Sequence, residues 1–385
     1  MKICKVCVQN ELNDPDFQLD ENGVCNYCID VESEFKRIEN YPSQFQSIIE
    51  KIKSDGKGKQ YDCVMGMSGG VDSSYVAHLA KMHGLRPLVV HFDNGWNTEL
   101  AVDNINKIIT KNGFDLHTLV VDWDEFRDIQ KAFIRSDVVD IEMVSDHAIT
   151  ATMLKISKKF GIKYALSGSN VATESGMPIS WSWRKADWMN IKDIHSKFGE
   201  VKIKTFPRYS SFDILFNRLK GDVGIESITI LDYIDFKKLE AIEVLKREYD
   251  WREYPGKHYE SFFTKFYQAY ILPEKFKVDK RISHYSALIR NGEMTREDVL
   301  VKLEEPLYTV QELRNDIEYF CKKIGFDKSE FEEIMKRSPK PHDFYKSDEK
   351  YFRVLAKYWK IIKKIPILNR IGLRGANVKR VKNGS

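Results

Sequence analysis

Ser68-Gly69-Gly70-Val71-Asp72-Ser73-Ser74 stands between Tyr61 to Met67, which reads as a buried strand, and a helical pattern from about Ser73 to His83. Two adjacent glycines let the backbone approach a phosphate with no side chain in the way. The amides they free, and the positive end of the following helix, hold an anion. Ser68, Ser73 and Ser74 add hydroxyl donors, and the Asp72 carboxylate suits a hard cation that also touches phosphates. The stretch is not a Walker loop, because the Gly-Lys-Ser/Thr ending is missing. A Gly-rich turn of purely structural use is the plain alternative.

Outward from this loop the pattern alternates. Pro87 to Phe92 and Leu116 to Val121 read as a second and third strand, with a helix at about Thr98 to Lys111 between them. Helices near 124–135 and 145–160 precede a short fourth strand, Tyr164 to Ser167. This rhythm predicts an α/β fold, a parallel sheet with helices on both faces. Ligands of such sheets bind outside the carboxyl ends of the strands. His91-Phe92-Asp93-Asn94-Gly95 and Gly168-Ser169-Asn170 fall at those ends, with Thr173 and Glu174 just beyond. Beyond about residue 207 the pattern turns mostly helical, and aromatics are dense from Trp251 to Tyr270. The domain division expected is 1–35, 36–57 (helical, with Pro42 as a break and 54–59 as linker), 58–206, a mostly helical 207–345, and a basic 346–385.

The first unit opens with Cys4-Lys5-Val6-Cys7 and closes with Cys25-Asn26-Tyr27-Cys28. Each two-residue gap aims two thiolates at one ion, and two such knuckles complete a tetrahedron, so a structural zinc ribbon is expected. An iron–sulfur site and redox dithiols are the competing readings. Cys63 and Cys321 lie in apolar contexts and read as buried thiols. With 42% hydrophobic and 31% charged residues, and no apolar run of the ~18–20 residues that a span needs, the chain reads as cytoplasmic. The net charge of +4 says little, but residues 351–385 hold ten Lys or Arg and no Asp or Glu. Such a tail suits phosphates, nucleic acid or an anionic membrane surface, or is simply a solvated end.

The seven-residue loop resembles the SGGxDSS loop of the N-type ATP pyrophosphatases, which have a HUP-like sheet and cleave ATP between the alpha and beta phosphates. The resemblance implies that Met67 to Ser74 (Met67, Ser68, Gly69, Gly70, Val71, Asp72, Ser73, Ser74) hold the ATP phosphates, with Ser68, Asp72 and Ser73 acting in catalysis and Asp72 assisting Mg2+. His91, Phe92 (beside adenine), Asp93, Gly168 and Asn170 would border the nucleotide. The whole chain is similar to the N-acetyl sugar amidotransferases of surface-polysaccharide and nonulosonic-acid biosynthesis. That similarity rests on the cysteine knuckles with Asp20-Glu21-Asn22-Gly23-Val24, the phosphate loop, residues 168–174 and Ile194-His195-Ser196-Lys197-Phe198-Gly199. It continues through residues 263–273, Asp279-Lys280-Arg281 and Pro306-Leu307-Tyr308, about four fifths of the chain.

Such enzymes are expected to adenylate the acetamido oxygen of a UDP- or CMP-linked sugar and replace it with ammonia, in O-antigen, lipopolysaccharide or nonulosonic-acid biosynthesis. Glu174 is a candidate for proton handling, Lys265 for catalysis, and Lys280, with Arg281 and His284, for phosphate contact. Surface solvation is the alternative for each. Trp181, Trp183, Trp188, Trp251 and Tyr254 are either ring-stacking or core residues. No glutaminase is visible: residue 2 is Lys2, and neither Cys63 nor Cys321 sits in a nucleophile elbow. A separate triad-type glutaminase subunit is therefore expected to supply ammonia. The competing functions are a tRNA-modifying adenylating enzyme, which the zinc ribbon and basic tail favour but the lack of a paired thiol by the loop does not, and a nucleotide-binding regulator.

Overall fold

The computed structural model describes residues 2–219, 224–254, 256 and 259–354. Among these, five strands form one parallel sheet: β1 (Cys63–Gly66), β2 (Pro87–Asp93), β3 (Asp115–Val120), β4 (Tyr164–Ser167) and β5 (Glu226–Thr229), in the spatial order β3-β2-β1-β4-β5. Val64 lies opposite Leu88 on one side and Ala165 on the other. Helices α1 (Asn26–Ile38) and α2 (Tyr41–Gly56) precede the sheet, and α3 (Val71–Met82), α4 (Glu99–Asn112), α5 (Trp123–Arg135) and α6 (Met143–Phe160) alternate with its first four strands. Pro42 lies in the first turn of α2, where its fixed φ fits and its missing N–H costs nothing.

Side chains alternate across the sheet as strand geometry requires. Cys63, Met65 and Val89 join Val76 and Leu79 of α3, Ile105 and Ile108 of α4, and Ile49 and Ile52 of α2 in one core layer. Val64, Leu88 and Val90 meet Ile156 of α6 in the opposite layer. The sheet is thus covered on both faces, which explains why β1 and most of β2 read as continuous apolar runs.

The chain leaves β1 for β2 and β3, then crosses back to β4 and β5 on the other side. The carboxyl ends of β1 and β4 therefore flank a topological switch point, where the connecting loops part and leave a crevice.

Short helices α7 (Val171–Glu174), α8 (Trp188–Phe198) and α9 (Ser211–Leu219) lead from β4 to β5. After β5 come α10 (Lys238–Tyr249), α11 (Phe262–Phe266), a π-helical stretch (Tyr267–Phe276), α12 (Lys280–Arg290), α13 (Arg296–Glu304), α14 (Val310–Ile324) and α15 (Lys328–Lys336). Phe263, Phe266 and Tyr267 pack with Phe320 and Phe331 against Phe126 and Phe133 of α5. The helical region is thus continuous with the sheet's own core.

Two details differ from the sequence reading. The expected linker at 54–59 is partly helix, since α2 runs through Gly56. Arg86 ties down the turn after α2, donating to the carbonyls of Gly56 (3.0 Å) and Lys59 (2.9 Å) and pairing with Asp62 at 2.6 Å. The region beyond 206, read as mostly helical, also supplies β5. That strand is four residues long, pairs on one side only and is half exposed, so it carries little periodic signal. The basic segment beyond residue 354 lies outside the described residues.

Candidate active site at the switch point

The loop after β1 makes its turn at Gly69, where φ is +86°. A Cβ there would stand 2.8 Å from the Ala101 carbonyl oxygen and 3.1 Å from the Tyr254 hydroxyl, so only glycine fits. Gly70 is the N-cap of α3 and offers no capping side chain, whereas Thr98, Asp122 and Asn170 cap α4, α5 and α7. The N-terminus of α3 thus lacks the side-chain cap that those helices carry, and its positive end suits a ligand that brings its own oxygens. Ser68 and Ser73 approach across the turn, Oγ to Oγ 3.2 Å, and the Gly70 amide donates to Ser68 Oγ at 3.3 Å. Ser74 Oγ is buried at the first turn of α3 without a partner among the described residues. Gly168, at the end of β4, lies so close that an added Cβ would be 3.3 Å from both Asp72 Cβ and the Ser73 amide nitrogen. These cradles suit a chain of phosphates.

Around the loop the other named residues serve different ends. His91 is buried; its Nδ1 is 2.8 Å from the Met67 carbonyl and its Nε2 3.1 Å from the Asn97 amide nitrogen, so it braces the loop. Asp93 accepts from the Gly95 amide (2.9 Å) and from Asn97 (3.3 Å). The Phe92 ring packs against Phe126 in the core, leaving its backbone, not its ring, for a base to meet. Asn170 is spent on structure: its Oδ1 accepts from the Thr173 amide at 2.8 Å and its amide donates to Gly168. Glu174 ends α7, half-buried.

Lys265 and Lys280 already hold carboxylates. Lys265 pairs with Asp316 at 2.8 Å and lies over the Tyr259 and Tyr308 rings. Lys280, the first residue of α12, is 3.5 Å from Glu142. Arg281 is bound to Asp279 and to the Leu303 and Glu305 carbonyls, a structural set. Trp181, Trp183 and Trp188 are framework residues, the first donating to Asn13 O and the others stacked on His342 and His147. Trp251 Nε1 and the Tyr254 hydroxyl both donate to Gly69 O, at 3.1 and 3.0 Å, and so pin the loop. Burial raises the Tyr254 phenol, which keeps its proton for that bond.

Glu260 lies outside the set of residues that the motifs point to, yet its Oε1 is 3.1 Å from where a Gly70 Cβ would stand. It arrives because Asn97, past β2, bridges to Ser261 and the Thr98 amide donates to Glu260 O at 3.0 Å. Its only sequence signal is its place in the aromatic-dense stretch.

The four N-terminal cysteines are buried and their sulfurs lie within 4.8 Å of one another. Cys4 and Cys28 are 4.0 Å apart, Cys7 and Cys25 3.7 Å. A tetrahedral ion with ~2.3 Å metal–sulfur bonds has sulfur–sulfur edges of about 3.8 Å, so the set is compatible with zinc. Hydrogen bonding from Cys25 pulls Cys4 and Cys7 below the ordinary thiol range, Cys7 to about 7. Cys63 and Cys321 are buried away from the cluster, and burial raises both thiols, Cys321 to about 11.

With this geometry in place, comparison with known proteins bears on the helical region. Residues 260–365 match the family model described as LPS biosynthesis protein WbpG-like, C-terminal domain. The match begins at Glu260 beside the loop and takes in Lys265 and Lys280. No curated protein matches the chain. Among solved structures, an NH3-dependent NAD synthetase from Campylobacter jejuni is 16% identical over 55% of this chain and 93% of its own, with a TM-score of 0.29. An NMN synthetase from Francisella tularensis is 13% identical over 57% and 98%, with a TM-score of 0.26. At such scores neither bears on the fold, which rests on strand order and register. No helix among the described residues is long and apolar enough to cross a membrane.

Proposed function

We propose that the chain is an AMP-forming amidotransferase of surface-polysaccharide biosynthesis: it activates the acetamido oxygen of a nucleotide-linked N-acetyl sugar with ATP and lets ammonia displace it. The observation that carries this reading is the Ser68–Ser74 loop, uncapped at α3 and sited at the switch point against Gly168. The WbpG-like match over 260–365 supports the choice of substrate class.

An amide carbon is a poor electrophile and its oxygen a poor leaving group. In the reaction proposed, that oxygen bonds to the alpha phosphorus and pyrophosphate leaves. Ammonia adds to the imidate carbon, loses a proton, and AMP departs carrying the former amide oxygen. The loop amides with Ser68 and Ser73 hold the departing pyrophosphate, where preorganised donors count most. Asp72 would hold Mg2+, which neutralises phosphate charge when bound. Glu174 is assigned the proton of the attacking amine. Lys265 and Lys280 would exchange Asp316 and Glu142 for the substrate's phosphates. ATP, Mg2+ and structural Zn2+ are the cofactors so implied, and a separate glutaminase the source of nitrogen, all in the cytoplasm.

The test is product analysis. Purified chain with ATP, Mg2+, ammonium and a panel of UDP- and CMP-linked diacetamido sugars should release AMP and pyrophosphate only when the right sugar is present. The sugar should lose about one dalton and gain a group still protonated at neutral pH. ADP and orthophosphate, or AMP release that needs tRNA instead, would sink the reading.

A further inference from the structure

A cleft of about 420 Å³ opens where the end of α1 meets α2, α7 and the turn Ile230–Tyr233 after β5. No residue of the phosphate loop lines it. Its wall is apolar, built by Phe35, Ile38, Pro42, Leu231, Ile234 and Phe236. Size and lining are those of a small-molecule pocket. The buried charge in it is Asp232, which is 8% exposed and accepts from the Val171 amide at 2.8 Å. Other charged groups of the lining are held at the rim, Lys36 by Glu32 at 2.6 Å and Asp235 by Lys237 at 3.6 Å. Glu39 adds a third carboxylate against the single ammonium of Lys36.

Burying a carboxylate is costly unless cations or several donors meet it. Burial accordingly raises the Asp232 pKa, while the Val171 amide, Thr229 and, through space, Arg37 of α1 bring it down. A cation in the cleft would supply further counter-charge and set its body against the apolar wall. An amidinium fits this best, because its two N–H groups match the two oxygens of a carboxylate. The cleft also reaches the candidate active site. Ala172 of α7 lines it, and the bond from Val171 to Asp232 fixes the start of the helix that ends at Glu174. A guest that draws on Asp232 weakens that bond and loosens α7.

We infer that this cleft is an effector site for a small organic cation with an apolar body, which acts on α7 through Asp232. Binding there does not depend on the proposed reaction. The alternatives are an apolar molecule held by the wall alone, and a cation that enters the nucleotide crevice instead.

Calorimetric titration of the full chain with benzamidine and its uncharged isostere benzamide tests it. Benzamidine should bind at least about tenfold more tightly, the margin of one charge-assisted hydrogen bond. In methyl-labelled protein its ring should show nuclear Overhauser contacts to Ile38, Leu231 and Ile234, and ATP should not displace it. Hydrogen exchange should rise in 171–174. Asp232→Asn keeps an acceptor for the Val171 amide and removes the charge, so its affinity for benzamidine should fall to that for benzamide. The wild-type measurements decide the matter if that variant does not fold. Equal binding of the two compounds, contacts to other methyls, displacement by ATP, or unchanged exchange in 171–174 would each overturn the inference. So would undiminished binding to folded Asp232→Asn. A failure to release AMP with sugar nucleotides would sink the proposed function and leave these results standing.

Discussion

At the scale of single residues, the loop depends on what cannot be added to it. Gly69 sits at φ +86° under the Ala101 carbonyl and the Tyr254 hydroxyl. Gly69→Ala brings a left-handed residue, a cost of about 1–2 kcal/mol, and a contact that must push the loop off Trp251 and Tyr254. Pyrophosphate release should fall below detection while urea unfolding shows only a modest loss of stability. Equal turnover in wild type and variant would contradict the assigned geometry. His147 offers a test of a different kind. It is fully buried, stacked among Trp188, Phe206 and Tyr209, and burial lowers its pKa to about 4. Unfolded, it would titrate near 6.5. The unfolded chain therefore takes up the proton first as pH falls. The stability linked to neutral His147 is whole above 6.5 and drains away towards pH 4, on the order of 3 kcal/mol. Urea melts at steps across that window should show this slope, and His147→Gln, though less stable at pH 7, should show a shallower one.

At the scale of elements, the knot of four free cysteines brackets α7, α12 and α13. Arg296 donates to the carbonyls of Cys7 (3.1 Å) and Cys4 (3.2 Å), while Arg290 reaches Cys28 Sγ at 3.8 Å and the Ser175 carbonyl at 2.8 Å. Asn13 and Asp279 exchange two hydrogen bonds just ahead of Lys280. Loss of the knot should therefore free α7 and α12 before it disturbs the phosphate loop. Cys25→Ser, or a strong chelator, should speed hydrogen exchange in 279–290 and, under the proposed function, raise the KM for the sugar nucleotide several-fold while ATP binding holds. A uniform rise in exchange across β1 to β4 would instead make the knot a global staple. The same contrast explains what was legible beforehand. The knuckles, the loop and the first four strands announce themselves within a few residues, through spacing, glycine chemistry and apolar runs. β5, the π-helical turn and the bracing of Gly69 by Trp251 and Tyr254 have no such local code. Each exists because a partner arrives from far along the chain, and a four-residue strand or a lone tryptophan looks the same with or without it.

At the scale of the molecule, that long reach has a consequence for how the nucleotide half is built. A sequence division at 206 would make residues 58–206 a free-standing nucleotide module. The sheet says otherwise. β5 supplies the outer partner of β4, from Tyr164 opposite Glu226 to Ser167 opposite Thr229. Asp232 accepts from the Val171 amide at 2.8 Å, fixing the start of α7. Leu245 and Trp251 fill the same core layer as Met65 and Ile105, and two side chains from 251–254 hold Gly69 O. On the other face, Phe126 and Phe133 of α5 pack against Phe320 and Phe266. A 58–206 fragment would expose both of these surfaces and leave the β4 edge open, an invitation to aggregate. It should show no cooperative thermal transition and no measurable ATP affinity. A 2–354 chain should retain both, because it keeps every one of these contacts. If the 58–206 fragment instead melts cooperatively and binds ATP as tightly as the full chain, the contacts from 226–254 are accessories, and the phosphate cradle is a property of its own short loop after all.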